Sequence, residues 1–207
     1  ENTQEKRYFA KVLWGGLLKS RKSAALPGAK IYPPTLTNSD LANIKIAKEM
    51  GVTGVMQPFV RDHSDLERVK EALREAGAED IRLFAKIENM DGVRKLEKLL
   101  PAADEIVIAR GDLGNAVHLW DLPGVQRQIS EKCRAAGKPF MVVTQMLASM
   151  ERSPVPTRAE VNDIFHAVMD GAASIMVTGE TAVGDYPVEV IRYMVNTVRS
   201  AEKEENR

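Results

Sequence analysis

Apolar positions change their rhythm repeatedly along the chain. From about Asn38 to Met50 the residues Leu41, Ile44, Ile46 and Ala47 recur at helical spacing, and Gly51 stops the pattern. Val52–Val60 then forms a short apolar run that predicts a strand, and Ser64 with Glu67 reads as a capping box opening a helix to about Ala76. The same alternation continues. Ile81–Ile87 predicts a strand and Asp91–Leu100 a helix capped by Asp91 and halted by Pro101. Glu105–Ala109 predicts a strand that breaks into a polar, glycine-flanked loop, with a helix from about Leu122 to Ala136 beyond it. Phe140–Thr144 is the next strand, and Thr157 with Glu160 forms a capping box before a helix to Asp170. Ser174–Thr178 closes the series of strands, and Asp185 before Pro187 opens a long final helix with a charged tail, AEKEENR, expected to fray.

The strands are short and nearly all apolar, as in a parallel sheet covered on both faces, so the fold class is α/β. Successive βα units suit a doubly wound sheet or part of a (β/α)₈ barrel. A dinucleotide-binding sheet is expected to carry G-x-G-x-x-G after its first strand, and its absence favours the TIM-barrel type, with about five βα units present. Residues 1–31, broken by Gly15, Gly16, Pro27 and Gly28, predict an irregular lead-in, and residues 32–207 one partial barrel domain.

Composition narrows the function classes. The 207 residues are 44% hydrophobic and 28% charged, with 29 basic and 29 acidic side chains, so no basic surplus draws the chain onto nucleic acid or an anionic membrane. No apolar stretch approaches the roughly 18 residues of a membrane span. The single cysteine, Cys133, fits a reducing compartment and a buried packing role, and a cytoplasmic protein is expected.

In a parallel barrel the active site lies where the strands run out, which makes four polar strand ends the candidates. Alternation in KIEN puts Lys86 and Glu88 on one face, and Asp112 follows the neighbouring strand between Gly111 and Gly114. Two carboxylates on adjacent strands need a positive charge between them; hard oxygen ligands point to Mg²⁺ or Mn²⁺, and a Lys86–Glu88 salt bridge with Asp112 in solvent is the alternative. Thr144 and the run Thr178-Gly179-Glu180-Thr181 are the other ends, and both are also compatible with plain turn chemistry. His63, His118 and His166 lack metal-ligand spacing.

The blocks KIENMDGV, IVIARGDLG, GKPFMVVTQMLASM, PTRAEVNDIFHAVMDGA and GETAVGDYPVEVI, in this order, resemble the second half of the catalytic barrel of pyruvate kinase, from about Gly15 to Lys203. That resemblance implies phosphoryl transfer between phosphoenolpyruvate and ADP to give pyruvate and ATP, with Mg²⁺ and usually K⁺. It implies Lys86 as the lysine facing the phosphoryl group and the enolate oxygen, and Glu88 and Asp112 as metal ligands. The backbone of Gly111 and Asp112 would meet the substrate carboxylate, and Thr144 would stand beside the carbon that is protonated.

The family's first three strands, inserted small domain and C-terminal domain have no counterpart here, and the expected K⁺ ligands belong to that part. Ser23 stands where the family usually has glycine, Pro58 where it has serine, and Ala116 where it has an acidic residue. A second copy of the chain, or the remainder of a longer one, is expected to complete the barrel. Two alternatives stay open: a divalent-metal aldolase or lyase acting on pyruvate enolates, and a catalytically silent scaffold.

Overall fold

The computed structural model describes residues 10–18, 20, 24, 26 and 33–205, so most of the expected lead-in over residues 1–31 lies outside the described residues. Among the described residues, five parallel strands form one sheet in the order β1 to β5: β1 Gly54–Gln57, β2 Arg82–Ile87, β3 Glu105–Ala109, β4 Phe140–Val143 and β5 Ser174–Met176. Helices alternate with them. They are α1 Asn38–Ala47, α2 His63–Glu75, α3 Met90–Arg94, α4 Leu96–Leu99, α5 Arg110–Ala116, α6 Leu122–Ala135, α7 Arg158–Met169, α8 Gly179–Ala182 and α9 Pro187–Glu205, with a 3₁₀ turn at Ala148–Glu151. Strand order that follows chain order, with a helix after each strand, is part of a (β/α)₈ barrel.

Alternation along each strand divides the sheet into two apolar faces. Leu83, Ala85, Ile87, Ile106, Ile108, Phe140 and Val142 join the helix-side core with Leu66, Leu96, Ile129 and Ile164. Phe84, Val107, Ala109, Met141, Val143 and Met176 make a smaller cluster on the concave face. The registers Lys86 to Val107, Val107 to Met141 and Ala109 to Val143 put Lys86 on that concave face, at its C-terminal end. Only β3 is buried along its full length; β5 is half-buried throughout and Met56 of β1 is exposed, so the edges of the concave face are less covered than its centre.

Several local expectations change. Helix α2 is capped by Asp62, whose carboxylate accepts the Ser64 N–H at 3.0 Å and the Ser64 hydroxyl at 2.6 Å, so Ser64 donates to the cap and does not provide it. Asn89, and not Asp91, caps the next helix by accepting from Gly92 N–H at 2.9 Å. That helix is broken at Lys95 into α3 and α4. Gly92 is required there, because a Cβ on it would stand 2.7 Å from the Val60 carbonyl oxygen. The polar loop expected after Ala109 is α5, and the turn expected after Thr178 is α8. The tail stays helical to Glu205, while the Thr157–Glu160 capping box is present as expected. Glu160 also accepts from the Ser149 N–H and hydroxyl; burial works to raise its pKa, and these donors together hold it below the usual carboxylate value. Burial pushes the Cys133 thiol up to about 12, which makes it an inert packing residue. No helix among the described residues is long and apolar enough to cross a membrane.

The segment before α1 is pinned to the barrel by one buried acid. Asp65 accepts from the Arg61 guanidinium at 2.6 Å, the Arg61 N–H at 2.9 Å and the Thr35 hydroxyl at 2.6 Å. Burial alone would raise its pKa, but these donors outweigh burial and lower it from 3.8 to about 2. A folded-state pKa below the unfolded one gives stability that is complete above 3.8 and is lost as pH falls towards about 2. Asp65→Asn is therefore expected to cost about 1.5–3 kcal/mol at neutral pH and to flatten the acid limb of stability against pH. Urea midpoints measured across that window check both.

Candidate functional site

The candidate residues stand at the C-terminal ends of three neighbouring strands. Lys86 and Glu88 end β2, Gly111 and Asp112 follow β3, and Thr144 follows β4. Each end is built differently.

At β2, the Lys86 ammonium lies 2.8 Å from Glu88 Oε1, and Glu88 Oε2 accepts the Phe59 N–H at 2.7 Å. Glu88 is only 4% exposed, yet both its oxygens hold a donor, so the charge is compensated in place. Phe59 reaches it from the turn after β1, where its φ of 50° lies in the left-handed region and Gln57 Nε2 donates to the Pro58 carbonyl at 3.1 Å. Pro58, where the family resemblance leads one to expect serine, thus belongs to the turn that delivers a backbone donor to Glu88.

At β3, helix α5 begins directly after Ala109. Gly111 and Asp112 occupy its first turn, where backbone N–H groups have no intrahelical acceptor. Asp112 is exposed there.

At β4, Thr144 and Gln145 both have positive φ, 86° and 54°. For non-glycine residues such backbone costs about 1–3 kcal/mol each, and the surroundings must hold it. From the β3 side, Arg110 Nη2 donates to the Thr144 carbonyl at 2.7 Å and approaches Met146 Sδ at 2.8 Å, while Nη1 lies 2.7 Å from Asp163 Oδ2 of α7. Gly111 permits the approach, since a Cβ on it would sit 3.0 Å from Thr144 Cγ2. Behind the loop, the buried Glu180 of α8 accepts from the N–H groups of Leu147 at 3.2 Å and Thr178 at 2.8 Å. The polar run at Thr178–Thr181 is thus a brace for the loop after β4.

A cleft of about 450 Å³ opens between β3 and β4, lined by Arg110, Gly111, Thr144, Gln145 and Asp163 among others. It joins Gly111 to Thr144. Lys86, Glu88 and Asp112 are outside its lining, so the structure groups the candidates as two sets: a Lys86–Glu88 pair, and a Gly111–Thr144 cleft. No group of three or more His, Cys, Asp or Glu side chains placed to share a metal occurs among the described residues. The available donor set is one buried and one exposed carboxylate on adjacent strand ends. Both Glu88 oxygens already hold a donor, so the arrangement present is the Lys86–Glu88 salt bridge with Asp112 exposed, the alternative left open by the sequence, and a divalent ion would have to exchange for one of those donors.

No sequence signal assigns a role to Arg110, Asp163 or the Phe59 N–H. Arg110 and Asp163 are 53 positions apart, and neither periodicity nor spacing links them. The histidines stay apart from the site: His63 lies near Glu67, His118 stacks on Trp120, and His166 Nδ1 is bonded to the Asn162 carbonyl of its own helix.

The family model described as pyruvate kinase, barrel domain, matches residues 1–191. The pyruvate kinase of Bacillus licheniformis is 40% identical over 202 residues, 98% of this chain and 34% of that protein. Those of Geobacillus stearothermophilus and Dictyostelium discoideum are both 42% identical, over 88% and 89% of this chain and 31% and 36% of their own lengths. The chain thus spans about a third of the length of these relatives. By the extent of these matches and by the parallel βα order of its fold, the chain belongs to the pyruvate kinase family, within the barrel domain.

Proposed function

We propose that this chain carries the metal-and-enolate wall of a phosphotransferase that moves a phosphoryl group between phosphoenolpyruvate and ADP, giving pyruvate and ATP. The observation that carries the proposal is the gathering of Lys86, Gly111, Asp112 and Thr144 at the C-terminal ends of three consecutive strands of a family barrel.

In the reaction, the bond between phosphorus and the enol oxygen breaks, a bond to an oxygen of the ADP β-phosphate forms, and the enolate left behind takes a proton on carbon. Positioning and charge neutralisation supply most of the catalysis in such transfers. Lys86 is the side chain that faces the transferring group and the enolate oxygen, and its pairing with Glu88 fixes its direction before substrate arrives. The N–H groups of Gly111 and Asp112, in the first turn of α5, face the substrate carboxylate. Thr144, in the cleft wall, stands at the carbon that is protonated. Glu88 and Asp112 would hold Mg²⁺ or Mn²⁺, which when bound supplies positive charge to the phosphoryl and enolate oxygens. A K⁺ site would draw its ligands from barrel strands other than the five described. Those strands, from a second copy or from the remainder of a longer chain, would also cover the edges left by β1 and β5.

The test is ATP formation from phosphoenolpyruvate, ADP and Mg²⁺, followed by coupled assay. Turnover that requires ADP supports the proposal. Proton exchange of pyruvate without any nucleotide turnover would favour a lyase, and the lack of both a scaffold. Glu88→Gln is expected to raise the Mg²⁺ concentration needed for half-maximal rate by about 10-fold or more, because a neutral amide is a poorer ligand for a hard cation. A metal titration of both proteins reads this directly.

A further inference from the structure

We infer that Arg110 and Asp163 form a positioning pair that holds Thr144 in its left-handed conformation and thereby sets the hydroxyl in the cleft wall. Thr144 is β-branched, and such residues are among the least suited to positive φ, yet it and Gln145 adopt that conformation in succession. A backbone shape that the local residues disfavour has to be imposed from outside. The loop makes two contacts to a single guanidinium: the Thr144 carbonyl at 2.7 Å and Met146 Sδ at 2.8 Å, both from Arg110 Nη2.

The other arm of Arg110 is held by both oxygens of Asp163, at 2.8 and 2.7 Å. The Arg110 side chain is 13% exposed and its position is set by elements at both ends, β3 into α5 on one side and α7 on the other. The planar fork of arginine can serve a carboxylate and a carbonyl in different directions at once, and a lysine ammonium at the same place cannot reproduce that geometry. Neither Arg110 nor Asp163 is assigned contact with a reacting atom; they act through Thr144. The catalytic consequence rests on the role proposed above for Thr144, whereas the conformational clamp does not.

The experiment therefore has two readouts on the intact chain. Backbone ¹³C shifts of Thr144 and Gln145 report the left-handed conformation, and ¹H NMR in D₂O with Mg²⁺ follows exchange of the pyruvate methyl protons. Arg110→Met and Arg110→Lys are both expected to abolish the left-handed shift pattern, and Asp163→Asn to weaken it. In the same variants the maximal exchange rate is expected to fall by about 10²-fold, the scale of a small misplacement of a reacting group, with half-saturating pyruvate changed by less than about 2-fold. Thr144→Val is expected to lose exchange while keeping the left-handed shifts. Left-handed shifts that persist in Arg110→Met overturn the clamp. So does restoration of both readouts by Arg110→Lys, or a loss expressed only as weaker pyruvate binding. If the unmodified chain shows no exchange, the proposed function fails, and the shifts alone decide whether the pair holds Thr144.

Discussion

Replacing Lys86 with alanine is expected to lower turnover by about 10²–10³-fold, equivalent to about 2.7–4 kcal/mol, the cost typical of removing one preorganised donor from a developing oxyanion. The argument is geometric. Lys86 is carried by a strand whose pairing with β3 is continuous up to Ile87, and its ammonium is already fixed at 2.8 Å from Glu88. A charge fixed before the reaction need not reorganise during it. The variant also leaves the buried Glu88 carboxylate without its cation, held by the Phe59 N–H, which adds a structural cost to the catalytic one. Urea unfolding of the same protein separates the two effects: a catalytic role requires the rate loss to exceed what the unfolded fraction explains. Lys86→Arg is expected to restore little, since a planar fork does not substitute for a compact ammonium. Unchanged turnover in Lys86→Ala would show that the lysine assignment is wrong.

The largest loss of stability at a polar position is expected at Glu180. Its carboxylate is 2% exposed and accepts from Thr178 and Leu147, joining the end of β5 to the loop after β4. Glu180→Leu removes the acceptor and leaves two N–H groups without it, each at a cost of about 1–3 kcal/mol. A leucine also brings apolar volume into a site shaped for a carboxylate. The thermal midpoint should fall on the order of 10 °C. Glu180→Gln keeps one carbonyl acceptor and should fall by less. Calorimetry on the three proteins gives the order, and equal midpoints for Glu180→Leu and the unmodified chain would remove Glu180 from its bracing role.

How much was legible from the chain depended on the range of the interactions involved. Glu105–Ala109 matches β3 residue for residue and Ile81–Ile87 overruns β2 by one residue, because strands of a parallel sheet covered on both faces are short and nearly all apolar. The Thr157–Glu160 box was equally plain, since both its partners lie within one helical turn. Local rules failed where two residues competed for one cap: Asp62 takes the position expected for Ser64, and Asn89 the one expected for Asp91. They failed again after Ala109, where glycines that read as a loop instead occupy a helix whose first turn must pass close to Thr144.

The candidate site was legible as residue types at strand ends, and its pairing was not. Lys86 beside Glu88 follows from alternation on one strand. The link from Arg110 to Thr144 and Asp163 joins three elements, and only the folded barrel brings them together. Such contacts leave no periodic trace, and the family blocks themselves gave the only sign that these segments act together.

The central claim is that the strand ends of β2, β3 and β4 together handle a pyruvate enolate. It is tested most directly by ¹H NMR of pyruvate in D₂O with the intact chain and Mg²⁺. The account predicts methyl-proton exchange that depends on Mg²⁺ and is lost in both Lys86→Ala and Thr144→Val, one residue from each of the two sets. Absence of exchange, or exchange that survives both substitutions, would contradict it.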